Sequence, residues 1–352
     1  MKRLWFRSGV GMALVAIALL ALPHVLTGVG TAWVRIANLA ILFIFLSLGL
    51  NIVVGMAGLL DLGYVAFYAV GAYTWALLAS PHFNLHLPFW VILPIGALCA
   101  CVAGAALGAP TLRLRGDYLA IVTLGFGEIV RIFMNNLSAP FNITNGPKGI
   151  TRIDSFNAGG LNFNGTDQLF GLAFTGPVKY YYVLLLLLLF VIVVNLRLQK
   201  SRIGRAWVAI REDEIAAKAA GIDTRNVKLL AFAMGASFGG IAGGMFAAMQ
   251  GFVSPESFVL HESIMILAMV VLGGMGNVWG VIAGALLLSF VPEFLRYTVE
   301  PAQKMLFGRL LVEPEVLRML VFGAALVLTM RFRPAGLWPE SRHKREMGEA
   351  KA

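Results

Sequence analysis

The stretch RIGRAWVAIREDEIAAKAAGI, residues 202–222, is the most water-loving segment of a chain that is otherwise almost entirely apolar. Ile203, Trp207 and Ile210 recur at helical spacing, and after the polar interruption Arg211–Glu214 the residues Ile215, Ala219 and Ile222 repeat it. The pattern predicts two short amphipathic helices. Asp213 is placed to cap the second and Gly221 to end it, while Glu214 and Lys218 stand in favourable i, i+4 register. The side of the molecule on which this charged hairpin lies decides the topology of everything around it.

Around the hairpin, composition leaves one class. Of 352 residues 59 % are hydrophobic and only 13 % charged, with a mean hydropathy of +0.81, whereas soluble domains use roughly 45–50 % apolar and ~25 % charged residues. Several apolar runs reach the ~20 residues that cross a hydrocarbon layer about 30 Å thick. The net charge of +10 does not indicate nucleic acid, because Lys and Arg sit in short clusters between apolar runs, as they do in the inner loops of membrane proteins. Cys99 and Cys101 lie two apart in one run and form neither a disulfide framework nor a metal site.

Ten apolar windows are expected to be spans: 9–28, 36–54, 62–79, 88–110, 117–134, 179–196, 228–250, 261–274, 278–295 and 316–332. The fifth carries Glu128 and Arg131, and the eighth is short and separated from the ninth only by the turn GGMGNVWG, 273–280. With the N-terminus inside, ten spans place Lys2, Arg3 and Arg7, Arg113 and Arg115, the hairpin with its flanks from Arg197 to Lys228, and the tail from Arg331 onward on one side. That side then holds most of the 28 basic residues, as the positive-inside rule requires. An odd number of spans would put the basic tail opposite. The segment MKRLWFRSGVGMALVAIALLALP starts like a signal peptide, but no small-residue cleavage pattern follows Pro23, so it reads as a retained span. The long connection at 135–178, with NITNGPKGI and NAGGLNFNGTD, is a string of turn formers poor in basic residues and falls outside. The expected architecture is an all-α polytopic membrane protein of about ten transmembrane helices, some broken or re-entrant, with both termini cytoplasmic. Residues 1–340 are expected to form one transmembrane domain, with 197–227 its inner loop, and 341–352 a polar tail.

A basic amphipathic loop can lie on anionic lipid, but Glu212, Asp213 and Glu214 in a row would be repelled there, and mixed charge beside an exposed apolar face suits a protein groove. The hairpin therefore reads as a docking ledge. Its stretch GRAWVAIREDEIAAKAAGI resembles the coupling loop of bacterial ABC-importer permeases, in which a pattern matched here by Ala216, Ala217 and Gly221 marks the helix that docks on the ATPase. More of the chain agrees: GLNIVVGMAGLLDLGYVAFYAVGAY (49–73), LRLRGDYLAIVTLGFGEIVRI (112–132), TNGPKGI (144–150), QGFVSPESF (250–258), VVLGGMGNVWG (270–280) and RPAGLWP (333–339). Together these blocks, from about residue 36 to 340, are similar to the LivM-type permease subunits of branched-chain amino acid importers. The resemblance implies an assembly of two homologous permease subunits, two cytoplasmic ATPase subunits and a periplasmic solute-binding protein in the bacterial inner membrane. It assigns ATPase coupling to Gly204, Arg205, Trp207, Arg211, Glu212, Asp213, Glu214, Ala216, Ala217 and Gly221. Relatives of similar sequence carry urea or short amides, which is the alternative cargo.

Concentrating a solute costs about 1.4 kcal/mol per tenfold gradient, and no G-x-x-x-x-G-K-[ST] loop exists here to bind nucleotide. No cofactor is expected in this chain; ATP is handled by partner subunits, and the hairpin is where that work enters. A self-sufficient carrier is one rival reading. An intramembrane serine hydrolase is another, because GASFG (235–239) fits G-x-S-x-G. That motif sits in AMGASFGGIAGGMFAAM, where small residues recur as they do in close-packed membrane helices, and only His261 stands near as a base. GGMGNVWG lacks the strand and helix of a dinucleotide loop.

Ionisable groups at membrane depth usually face a path or pair with one another. Glu128 and Arg131, three apart, read either as a structural ion pair or as lining. Before them Gly125 and Gly127 weaken the helix, so TLGFGE, from Thr123, is a candidate broken segment holding the solute. Similar interruptions, Gly55–Gly58 and Gly273–Gly276, each follow a Val-Val pair, one in each half of the chain. Asp61, Tyr64 and Tyr68 are further pathway candidates, with helix capping the plain role for Asp61 and packing the plain role for the aromatics.

Overall fold

The computed structural model describes residues 9–338 apart from 112, 113, 115, 140, 141, 159, 160, 164, 170, 171, 310, 311, 334 and 335. The polar tail 341–352 and the basic residues Arg113 and Arg115 therefore lie outside the described residues. All ten apolar windows coincide with helices: α1 (Gly9–Val29), α2 (Thr31–Leu50), α3 (Val65–Leu78), α4 (Phe89–Thr111), α5 (Asp117–Asn136), α6 (Gly176–Lys200), α9 (Thr224–Gln250), α10 (Leu260–Gly273), α11 (Val278–Phe307) and α12 (Pro314–Phe332). Between α6 and α9 the hairpin forms α7 (Arg202–Glu212) and α8 (Glu214–Ala219). Among the described residues six helical stretches are long and apolar enough to cross a membrane.

α2 and α9 form the centre. An 18-residue apolar window within Thr31–Met56 is 89 % buried, whereas the corresponding windows of α4, α6 and α11 are each one-third buried. Helices apolar on every side yet covered on one side only by their own chain need lipid or a partner around the rest. α9 is held to its neighbours through glycines. A Cβ on Gly71 of α3 would stand 2.0 Å from the Gly240 carbonyl oxygen, and one on Gly240 would stand 2.6 Å from Ala100 Cβ of α4. Backbones this close have room for hydrogen only, the small-residue logic of membrane helices. The GASFG motif belongs to this packing: Ser237 Oγ donates to the Met234 carbonyl at 2.7 Å within its own helix.

α3 and α10 are the shortest of the ten apolar helices, 14 residues each, about 21 Å at 1.5 Å per residue, against a layer about 30 Å thick. Each borders a break. α2 widens into a π-helical turn, Asn51–Met56, and ends at Gly58, φ +70°. α10 ends at Gly274, φ +115°, and Gly276, φ +86°, before α11. Two residues of the RPAGLWP block return to this second break, Leu337 N–H donating to the Leu272 carbonyl at 2.8 Å and Trp338 N–H to that of Gly273 at 3.1 Å.

The long connection carries more order than its turn-rich composition predicts. It holds β1 (Ile150–Thr151), β2 (Asn157–Ala158), β3 (Leu161–Asn162), β4 (Asp167–Leu169) and β5 (Leu172–Phe174). β2 pairs with β3 and β4 with β5, and β1 pairs antiparallel with β6 (Phe252–Val253) after α9, in the register Ile150 to Val253. Lys179 at the start of α6 holds Asp167 at 2.7 Å.

Candidate functional site

The hairpin is fixed to the bundle by its first helix. Ser201 Oγ caps α7 by accepting from Gly204 N–H at 3.0 Å. Gly204 is required there, because a Cβ would stand 2.0 Å from the Leu198 carbonyl. Trp207 is fully buried and donates Nε1–H to the Val227 carbonyl at 2.8 Å, with Ile210 buried beside it. Most of the apolar face of α7 is thus spent inside the chain, with Ile203 at its start left exposed. Asp213 caps α8 as its position predicts, Oδ1 accepting from Ile215 and Ala216 N–H at 2.8 and 3.0 Å. Gly221 takes φ +84° just beyond. Glu214 reaches Lys228 of α9 at 2.7 Å, an ion pair between helices that the spacing to Lys218 did not anticipate. On α8 Ala217 is buried, while Ile215 is 71 % exposed and Glu212, Asp213, Ala216 and Gly221 lie at the surface. The exposed surface of the hairpin is therefore mainly that of α8. Arg205 is exposed and donates to the Lys200 carbonyl.

Arg211 links the hairpin to the membrane-embedded part. Its guanidinium donates to the Gly55 carbonyl at 2.5 Å, and its stem lies so close to Gly58 that a Cβ there would meet Cγ at 2.7 Å. The two glycine breaks, more than 200 residues apart, touch at this point. Asn51, fully buried, accepts the Gly276 N–H on Oδ1 at 2.8 Å, and a Cβ on Gly55 would stand 2.5 Å from that nitrogen. Gln199, at the end of α6, donates to the Gly276 carbonyl at 2.6 Å. Asn51, Gln199 and Lys228 were not singled out from the sequence. For Asn51 the available signal was a lone amide inside an unbroken apolar run.

The pathway candidates separate into two groups. Tyr64 is buried and donates to the Gly235 carbonyl at 2.9 Å. Tyr68 packs at a tilt against Phe246 and edge-on against Phe258. Asp61 is buried with Oδ1 accepting from Gly63 N–H at 2.9 Å; the free amide at the start of α3, that of Val65, is instead satisfied by Ser263 Oγ of α10. This turn is pressed against α5, where Leu62 N–H donates to Thr123 Oγ1 at 3.0 Å and Gly63 abuts Thr123 and Gly127. α5 itself runs unbroken from Asp117 to Asn136, unlike the break that TLGFGE predicts. Gly127 permits the close approach to Gly63, and Gly125 opens onto free space. Glu128 pairs with Arg131, Nε to Oε1 at 3.0 Å, and Arg131 also approaches Glu256 at 3.5 Å. Glu128 keeps 40 % of its side chain exposed. It shares that surface with Ile121, Val122, Ile129 and Ile132, which are all exposed.

A bundle of apolar helices, two of them interrupted where they touch, with an exposed charged hairpin bonded to the junction, defines a multi-pass membrane permease. The model of the branched-chain amino acid transport system / permease component family matches residues 32–330, and the chain belongs to that family. It is 46 % identical over 322 residues to the high-affinity branched-chain amino acid transport system permease protein LivM of Escherichia coli K12, covering 88 % of this chain and 70 % of that protein. The probable branched-chain amino acid transport permease protein LivM of Methanocaldococcus jannaschii is 27 % identical over 278 residues, 78 % of this chain and 74 % of the relative. LivH of Salmonella typhimurium, a permease protein of the same kind of system, is 23 % identical over 253 residues, 70 % and 79 % of the two chains. No solved structure matches. The family is one of transport permeases, not of enzymes.

Proposed function

We propose that the chain is a permease subunit of an ATP-driven importer of the bacterial inner membrane. With a second, homologous permease subunit it forms the path for branched-chain amino acids. Two ATPase subunits drive it from the cytoplasm and a periplasmic binding protein delivers the solute. The observation that carries this reading is the chain of contacts from α8 through Arg211 to Gly55 and, by Asn51, to Gly276. A push on the exposed face of α8 is passed by Arg211 to two helix breaks at once. Broken helices are the places where a helix pair has two arrangements at similar energy. Both termini then lie in the cytoplasm, and the ten helices cross the membrane with α3 and α10 completed by their breaks.

The partner permease is assigned to the α5 face. That face carries Glu128 among exposed apolar residues, a composition poorly suited to lipid. The relatives and the family are named for branched-chain amino acids, which favours that cargo over urea or amides. Reconstitution tests the reading. Proteoliposomes holding this chain, a second permease, the ATPase subunits and the binding protein accumulate labelled leucine only with ATP, and excess urea does not compete. Accumulation by this chain alone would refute it.

A further inference from the structure

On the side of the bundle away from the hairpin, a cavity of about 660 Å³ opens between the end of α3, the start of α4 and the segment after β1. Its inner wall is aromatic: Trp75 and Phe89 are buried with ring centroids 5.9 Å apart, and the ring of Phe156 packs against Phe89 at a tilt of 51°. Trp75 Nε1–H is buried without a hydrogen-bond acceptor among the described residues. Native interiors rarely leave such a donor unmet. The rim carries one charge of each sign, Arg152 and Asp154. His86 Nδ1 holds Asp154 Oδ2 at 2.5 Å, which orients the carboxylate and leaves its other oxygen without a partner among the described residues.

The backbone here is held in costly conformations. His86 and Arg152 have φ of +43° and +56°, a left-handed region that residues with a Cβ enter at a cost and keep mainly at functional sites. Both segments are tied down around them. Leu87 N–H donates to the Leu78 carbonyl at 3.0 Å, Asp154 N–H to that of Ala79 at 2.6 Å, and Ile153 N–H to that of Gly251 at 3.2 Å. The strained residues therefore present their side chains on a fixed rim.

We infer that this cavity is a binding site for a zwitterionic amino acid with a compact apolar side chain, the first station of the solute on the permease. The α-carboxylate meets Arg152, the α-ammonium meets Asp154, and the side chain lies on Phe89 and Phe156. A few polar groups converging in front of an aromatic wall can recognise a small molecule, and a cation and an anion on one rim select a ligand carrying both. An anionic lipid headgroup would be repelled by Asp154. A zwitterionic headgroup shares the chemistry and is separated by experiment. The inference rests on the importer reading and places the solute at a site that reading does not specify.

The test is equilibrium binding of labelled leucine to the permease–ATPase complex without binding protein, in nanodiscs of phosphatidylglycerol or phosphatidylethanolamine. Leucinamide, which lacks the carboxylate, and 4-methylpentanoate, which lacks the ammonium, serve as competitors. Arg152→Asn keeps a residue that tolerates positive φ and removes the cation. The expected result is saturable leucine binding in both lipids, with each competitor weaker than leucine by about 10-fold or more, as the loss of one charge-assisted contact implies. Arg152→Asn abolishes the advantage of leucine over leucinamide while ATPase assembly and melting temperature stay unchanged. The same discrimination retained in Arg152→Asn, or no saturable binding while ATP-driven uptake proceeds, overturns the site and leaves the importer reading intact. Binding that vanishes only in phosphatidylethanolamine marks a lipid site and also overturns it. So does an Arg152→Asn variant that loses capture of the binding protein but binds leucine as before.

Discussion

Replacing Arg211 by Met keeps an aliphatic stem over Gly58 and removes the donors that reach the Gly55 carbonyl. A hydrogen bond from a charged group is worth about 1.5–3 kcal/mol, and because Arg211 is exposed along part of its length the lower end applies. About 1.5 kcal/mol corresponds to roughly a tenfold change in an equilibrium. If the bond is how the hairpin biases the helix breaks, that tenfold appears as coupling. In proteoliposomes the variant should hydrolyse ATP at close to the parental basal rate, while leucine taken up per ATP falls about tenfold. The fold should survive, since Trp207 and the Glu214–Lys228 pair still anchor the hairpin. An Arg211→Met complex that transports with parental stoichiometry refutes the transmission argument. Loss of both hydrolysis and assembly would refute the claim that Trp207 and Lys228 suffice to hold the hairpin.

Gly71→Ala places a Cβ 2.0 Å from the Gly240 carbonyl and should cost on the order of 3 kcal/mol by overpacking; Gly125→Ala meets nothing within 4 Å and should leave stability unchanged or raise it by about 0.5–1 kcal/mol through helix propensity, both read as shifts in thermal unfolding in detergent. Ile215→Asp, at a position 71 % exposed, should leave the melting temperature alone and abolish capture of the ATPase subunit in a pull-down. Ser237→Ala removes a hydroxyl bonded to its own helix and should keep leucine uptake within about twofold of the parent, since such intrahelical bonds contribute little.

Ten apolar windows and one charged hairpin were readable in advance because hydropathy over a run of residues, and helical spacing over two or three turns, are local quantities. So were the Asp213 cap and the helix end at Gly221, which depend on neighbours a few positions away. The glycines were read less well. Gly125 and Gly127 look like a break, but an unbroken α5 uses Gly127 to admit Gly63 and leaves Gly125 facing outward. A glycine marks a place without a Cβ, and only the neighbouring backbone shows whether that space is for bending or for contact. Tyr64 and Tyr68 show the same ambiguity: inside a uniformly apolar helix no periodic signal tells which face is inside, and both turned inward.

The chain by itself therefore determined the class of protein, where its apolar helices lie and the position of its charged hairpin, because each follows from the polarity of neighbouring residues. The tertiary structure alone decided that the break after α2 meets the break after α10, with Asn51 bonded to Gly276 across a separation of 225 positions. It alone put Arg211 on Gly55, and His86 on Asp154 at the edge of the cavity. Hydrogen bonds between distant segments depend on how whole helices pack, and in apolar helices that packing is set by shape, which no pattern of polarity along the chain records.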